Sequence, residues 1–290
     1  MFFVVVALLF WGAVKIVSFP TLQIKGVAVE GTKILSKEII TQKVEKELFG
    51  NYYWFFPKKN IFLYPKGKMK AILSTSFPAM ETVAISVNSS HVLIISIQER
   101  EPFALWCGIE KPSIDILEVP ACFYIDKTGY IFSNSPSFSG DAYFTLYGSE
   151  TLNIKKTPLG QYAVTADVFK KVLELRDFLT KSGIVADTIY FGENKYAEFI
   201  DTKSFAVRWN TDANIDTLTG NMRALFNSPS WKNNTFVSDA EKASEPLEYL
   251  DFRFGNKIFY KQKGEELAVP AVPSIPIEIS TSTPSEMPTT

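Results

Sequence analysis

The side chains able to attack a substrate, relay a proton or hold a metal are thinly supplied in this chain. There is one histidine, His91, two cysteines, Cys107 and Cys122, and no tight grouping of acids. Ser-His or Cys-His chemistry would have to rest on His91. It follows Asn88-Ser89-Ser90, a turn-forming run, and reads as an exposed turn residue. Asp126 stands alone, with no histidine and no second acid at a telling spacing. It reads as a turn residue of a hairpin from Phe123 to Phe132, in which Gly129 supplies positive φ. No Gly-rich phosphate loop and no metal-ligand spacing is present. The expectation is a chain with no catalytic residue, no cofactor site and no metal site. Cys107 and Cys122 leave two readings open: a disulfide closing the loop between them, worth about 3 kcal/mol, or two half-buried thiols. A bridge would argue for an extracytoplasmic compartment.

The elements that hold these residues follow from hydropathy. With 290 residues, 46% of them hydrophobic, the chain has material for about two domains with real cores. A net charge of −1 gives no reason to expect nucleic acid as a partner. Met1 to Phe19 holds one charge, Lys15, and at 1.5 Å per residue would span about 28 Å. Basic residues at the start and a small-x-small cleavage site are both unclear. The segment 1–19 therefore reads as an uncleaved transmembrane anchor rather than a signal peptide or a core helix. Lys25, Lys33 and Lys37 follow it, and the positive-inside rule taken literally puts the large domain in the cytoplasm.

Residues 22–106 read as β-α-α-β-β. Ile24, Val27 and Val29 lie in a short strand ending at Gly31. Ser36 caps a helix with Ile40, Val44 and Leu48 on one face. A second helix follows Pro65 and stops before Phe77-Pro78. A hairpin then runs from Met80, with Val83, Ile85 and Val87 alternating inward. Its return run, Val92 to Ile97, is apolar enough for a strand buried on both faces. Between the helices lies the aromatic run Tyr52, Tyr53, Trp54, Phe55 and Phe56, either a loop packed over the core or a surface for a partner or membrane.

Residues 107–263 read as a mixed β domain with an extended sheet and two flanking helices. Thr165 caps the first helix, striped by Val164, Val168, Val172, Leu175 and Leu179. Asn214 begins the second, with Ile215, Leu218, Met222, Leu225 and Phe226 inward. Strands are expected at Thr188 to Phe191, Tyr196 to Ile200 and Phe205 to Trp209, with Phe199 to Asp201 a candidate sheet edge. A final hairpin turns at Gly255-Asn256. Residues 264–290, rich in Pro, Ser and Thr, read as a disordered tail. Asn88-Ser89-Ser90 and Asn233-Asn234-Thr235 match a glycosylation pattern by chance.

The order of these features resembles the FtsQ/DivIB family of cell-division proteins, with a POTRA domain followed by a β domain. The resemblance rests on Ile24-Lys-Gly-Val-Ala-Val-Glu-Gly31, the Phe56-Pro57 … Asn60-Ile61 loop, Leu73 … Phe77-Pro78 and Glu99-Arg100-Glu101-Pro102-Phe103-Ala104-Leu105-Trp106. It continues through Asp126-Lys127-Thr128-Gly129-Tyr130-Ile131-Phe132 and Leu250-Asp251-Phe252-Arg253-Phe254 … Tyr260-Lys261. It covers roughly residues 1–263 and departs from the family in having no tail before the anchor. It implies an α+β fold comprising a transmembrane anchor, a POTRA domain and a β domain. It also implies a single-pass protein of the bacterial inner membrane, with its folded part outside the cytoplasm at the division septum. The implied role is a scaffold recruiting FtsB/DivIC-like and FtsL-like partners, and through them the septal peptidoglycan synthase. The expected mechanism is addition of a partner strand at the last sheet edge, near Tyr249, Phe252, Phe254, Ile258 and Tyr260. The alternatives are an exported POTRA-type chaperone and a secreted hydrolase with a cleaved signal.

Overall fold

The computed structural model describes residues 1–110, 121–136, 143–153, 155–200, 205–232 and 247–263. The tail from 264 onward and the Asn233 sequence lie outside the described residues.

Helix α1 (Phe2–Val17) opens the chain. Ser18 ends it, with both its N–H and its hydroxyl donating to the Val14 carbonyl, and a 3-10 turn begins at Pro20. The helix is therefore 16 residues long, about 24 Å, short of a hydrocarbon core of about 30 Å. Gly12 and Lys15 also dilute its apolar run. This corrects the transmembrane expectation for residues 1–19: among the described residues no helix is long and apolar enough to cross a membrane.

Next come β1 (Gly26–Glu30), α2 (Lys37–Leu48), a small ribbon of β2 (Asn51–Tyr52) and β3 (Phe56–Pro57), α3 (Lys66–Ser76), β4 (Met80–Val87) and β5 (Val92–Glu99). Ser36 accepts from the Ile39 N–H and starts α2, whose Ile40, Val44 and Leu48 are buried. Beside it the Glu38 carboxyl lies below its ordinary pKa, held there by hydrogen bonds from the backbone and from Ser36. A three-stranded sheet runs in the order β1-β5-β4, parallel then antiparallel. Its core joins Val29, Val83, Ile85, Leu93, Ile95 and Ile97 to both helices. β5 is the central strand, yet only alternate residues are buried, and Ser96 and Gln98 face solvent. The expectation of burial on both faces fails because α2 and α3 cover one face only.

The second sheet has nine strands. They are β6 (Ala104–Trp106), β7 (Phe123–Ile125), β8 (Ile131–Asn134), β9 (Thr145–Gly148), β10 (Thr188–Phe191), β11 (Tyr196–Ile200), β12 (Ala206–Asn210), β13 (Leu247–Phe254) and β14 (Lys257–Gln262). Helices α4 (Ala166–Lys181), α5 (Ile215–Asn227) and the short α6 (Pro229–Lys232) complete the chain. The sheet order is β14-β13-β12-β11-β10-β9-β6-β7-β8, with parallel and antiparallel pairs mixed. β6 reaches this sheet directly after Pro102, which cannot donate to a ladder and marks where the chain leaves the first sheet. β11 is interior, with Phe199 in the core, so the candidate edge is corrected at Phe199 and Ile200: β10 and β12 pair with β11 on either side, and Asp201 lies outside the described residues.

Cross-strand register separates the two faces of the large sheet. Ile189, Phe199, Val207 and Leu250 align in one row and pack against Phe169, Val172 and Leu175 of α4 and Met222 of α5. Tyr190, Glu198, Arg208 and Asp251 align on the opposite face.

Candidate functional site

The terminal strand β14 has β13 on one side, and no described strand pairs with its other side. Its pairing partner is well specified. Leu250 and Phe252 are buried in the core, and Gly255 takes φ 67° to open the two-residue turn before Lys257. Register then fixes what the edge displays. Tyr260 lies opposite Leu250, on the helix side, where Ile258 packs against the core. Phe259 lies opposite Asp251, on the other side. Phe254, Phe259 and Tyr260 are 54%, 50% and 50% exposed, and the rings of Phe254 and Phe259 meet edge to face at 5.1 Å. A bare strand bordered by rings offers main-chain bonds for affinity and side-chain contacts for selectivity.

The five residues expected at this edge have different fates. Phe254 and Tyr260 stand at it about half exposed, and Ile258 is half-buried beneath it. Tyr249 lies one strand in, its ring 3.7 Å from the Arg208 guanidinium. Phe252 is core and reaches no outer surface. Phe259 was missed, although alternation along Lys257 to Lys261 puts it on the face that Ile258 and Tyr260 leave.

Behind the edge lies a charged ladder that composition could not reveal. Glu198 is fully buried and accepts from Arg208 Nε at 3.0 Å. Arg253 Nε and Nη2 donate to both carboxylate oxygens of Asp251 at 2.6–3.1 Å, and its guanidinium sits 5.0 Å from the Tyr196 ring. Burial, with Glu198 adding to it, pushes the Tyr196 hydroxyl well above its usual pKa. Such a network keeps the sheet beneath β13 rigid, because each buried charge has a bonded partner.

The other end of the sheet is built differently. Ile131, the first residue of β8, donates to Gln161 O at 2.9 Å and accepts from the Gly160 N–H at 2.8 Å. Tyr130 bridges Tyr162, their rings 5.1 Å apart. Asp126 is buried and accepts from the Thr128 N–H at 2.7 Å, the Thr128 hydroxyl at 2.6 Å and the Tyr130 N–H at 3.1 Å. It also pairs with Arg100, which leaves the end of β5, donates to Pro78 O at 3.1 Å and lies 4.3 Å from the Tyr130 ring. Asp126 is thus a turn residue that also clamps the two sheets together. Gly129 completes the turn at φ 85°, where a Cβ would come within 3.1 Å of Phe169. Glu99, beside Arg100, accepts from the N–H groups of Lys33, Ile34 and Leu35 at 2.9–3.1 Å and ties β5 to the loop before α2.

Trp106 pairs with Phe123, so the next residue on one strand and the preceding one on the other meet at the base of a loop. The structure holds Cys107 and Cys122 as a disulfide, closing the choice between bridge and thiols. His91 is half-buried rather than exposed, at φ 63° between β4 and β5. Among the described residues no group of three or more His, Cys, Asp or Glu is placed to hold a metal. No family model matches the chain, and no curated protein matches it in sequence.

Proposed function

We propose that this chain is a binding scaffold of the FtsQ/DivIB kind, whose working surface is the outer edge of β14. A segment of an FtsB/DivIC-like or FtsL-like partner adds there as a further strand and brings the septal peptidoglycan synthase with it. The observation that carries the proposal is the asymmetry of the large sheet. Among the described residues no strand pairs with the outer side of β14, which Phe254, Phe259 and Tyr260 border, whereas β8 is covered by its own chain at its first residue, Ile131. Long bare edges invite other chains, and proteins that keep one exposed use it. Further support comes from the strand-helix-helix-strand-strand order before the large sheet and from the Glu99–Trp106 and Asp126–Phe132 motifs. The Cys107–Cys122 bridge favours a compartment outside the cytoplasm. On this proposal the chain carries out no reaction of its own.

The test is Phe254→Asp with Tyr260→Lys, in protein whose circular dichroism matches the unsubstituted chain. Co-purification with the partner is expected to be lost, and unchanged binding rules the β14 edge out. A fluorescent fusion in dividing bacterial cells is expected to form a mid-cell band. A uniform signal would remove the division role while leaving strand addition to be judged by the first experiment.

A further inference from the structure

A second surface lies at the opposite pole of the sequence and is independent of β14. The loop between β2 and β3 places Tyr53 and Trp54 at φ 47° and 65°, a left-handed conformation that bulky residues rarely take, and holds both rings outward. They are 85% and 89% exposed. The Asn51 amide, donating to Trp54 O at 3.0 Å, and the Lys58 N–H, donating to Gly50 O at 3.1 Å, brace the loop in that shape. Phe10 of α1 packs edge to face on Phe55 and Phe56 at 5.7 and 6.0 Å, which joins the exposed apolar helix and the loop into one surface. A contiguous apolar patch of this extent marks a contact with something apolar.

Charge identifies the occupant. Residues 1–29 and 51–80 contain seven lysines and no Asp or Glu. The whole chain is −1, so the remaining residues carry −8. Lys68 is paired with Glu47 at 2.7 Å, and Lys58 lies 5.7 Å from the Tyr52 ring beside the exposed loop. Lys15 lies 5.4 Å from the Trp11 ring. Apolar rings including Tyr and Trp with lysines beside them match the boundary between acyl chains and anionic headgroups. A second copy of this chain would instead bring these lysines against their like.

We propose that α1 and the Tyr53–Phe55 loop seat the protein on the surface of an anionic lipid bilayer. The rings and the helix lie in the upper acyl region, about 5–10 Å deep, and the lysines lie at the phosphates.

The test floats the full chain, exchanged from mild detergent, with vesicles of phosphatidylcholine alone or mixed with phosphatidylglycerol. Binding to the mixed vesicles is expected, weaker on the neutral ones. Lys58→Glu with Lys59→Glu lowers it by about tenfold or more, and Trp54→Glu with Phe55→Glu does the same. Tryptophan emission from the otherwise native chain is expected to be quenched by lipid brominated near the headgroup, and Trp11→Phe with Trp54→Phe removes most of that quenching, since Trp11 of α1 and Trp54 of the loop are the two exposed indoles of this surface. Three results overturn the proposal. The first is equal binding to neutral and anionic vesicles. The second is quenching that survives Trp11→Phe with Trp54→Phe. The third is a chain that stays off vesicles and forms concentration-dependent oligomers in the ultracentrifuge. None of the three bears on the β14 edge.

Discussion

The two ends of the large sheet use aromatic residues to opposite effect. At the β8 end Tyr130 and Tyr162 meet each other, the Gly160–Gln161 backbone covers Ile131, and Arg100, Asp126 and the disulfide lock the neighbouring turns. At the β14 end Phe254 and Phe259 meet each other too, but at the rim of a strand with no described strand on its outer flank. The difference teaches where the chain spends stability. The β8 end joins the two sheets, and Asp126 is buried there with bonds from Arg100, Thr128 and Tyr130. The β14 end is held from beneath, by Leu250 and Phe252 in the core and the Glu198–Arg208 and Asp251–Arg253 pairs on the other face. No described strand lies on its outer side, where we propose that another chain adds.

Breaking the closed end is expected to cost most. Asp126→Ala strands Arg100 and the Thr128 and Tyr130 N–H groups in buried surroundings, and urea denaturation is expected to show a loss of about 3–5 kcal/mol. A loss below about 1 kcal/mol would mean that the clamp is ornamental. Cys107→Ser with Cys122→Ser opens a loop of sequence separation 15. It is expected to cost about 3 kcal/mol, and the same loss is expected on adding reductant to the unsubstituted chain.

At the open end the same measurement is expected to register little. Phe254→Asp with Tyr260→Lys changes half-exposed rings, so folding stability moves by about 0.5 kcal/mol while partner binding disappears. A large loss of stability would show that the rings serve the core, and the contrast between the ends would collapse. The smallest expected effect is an alkaline one in the ladder beneath β13. Burial raises the Tyr196 pKa in the folded state, so the unfolded chain releases that proton first. The associated stability is complete below about pH 10 and is lost as pH rises beyond it. Urea midpoints taken from about pH 8 upward are expected to fall more steeply for the unsubstituted chain than for Tyr196→Phe.

Much of the local structure was legible. Ser36, Thr165 and Asn214 each cap the helix expected of them, because a side-chain oxygen ahead of an apolar stripe has one obvious use. The Met80–Glu99 hairpin and the turn at Gly255 were equally plain. Three readings misled for identifiable reasons. The apolar count of residues 1–19 ignored Ser18 and Pro20, which stop the helix at Val17. The apolar run from Val92 to Ile97 described composition, whereas burial depended on helices covering one face only. Imperfect alternation made β11 look peripheral, although it is interior. At the candidate edge, Phe254 and Tyr260 were recognisable from their place in the last hairpin, but Phe252 could not be separated from them, since one residue of register decides core or rim.

The sequence alone determined the positions of most helices and strands and the lysine-rich, acid-free stretches that include the aromatic loop, because capping, alternation and charge are properties of neighbours along the chain. Only the tertiary structure decided that Arg100 meets Asp126, that Glu198 is buried against Arg208, and that β11 is interior while β14 ends the large sheet with no described strand on its outer side. Those depend on strand order and register, which bring together residues from distant parts of the chain, and no local propensity encodes them.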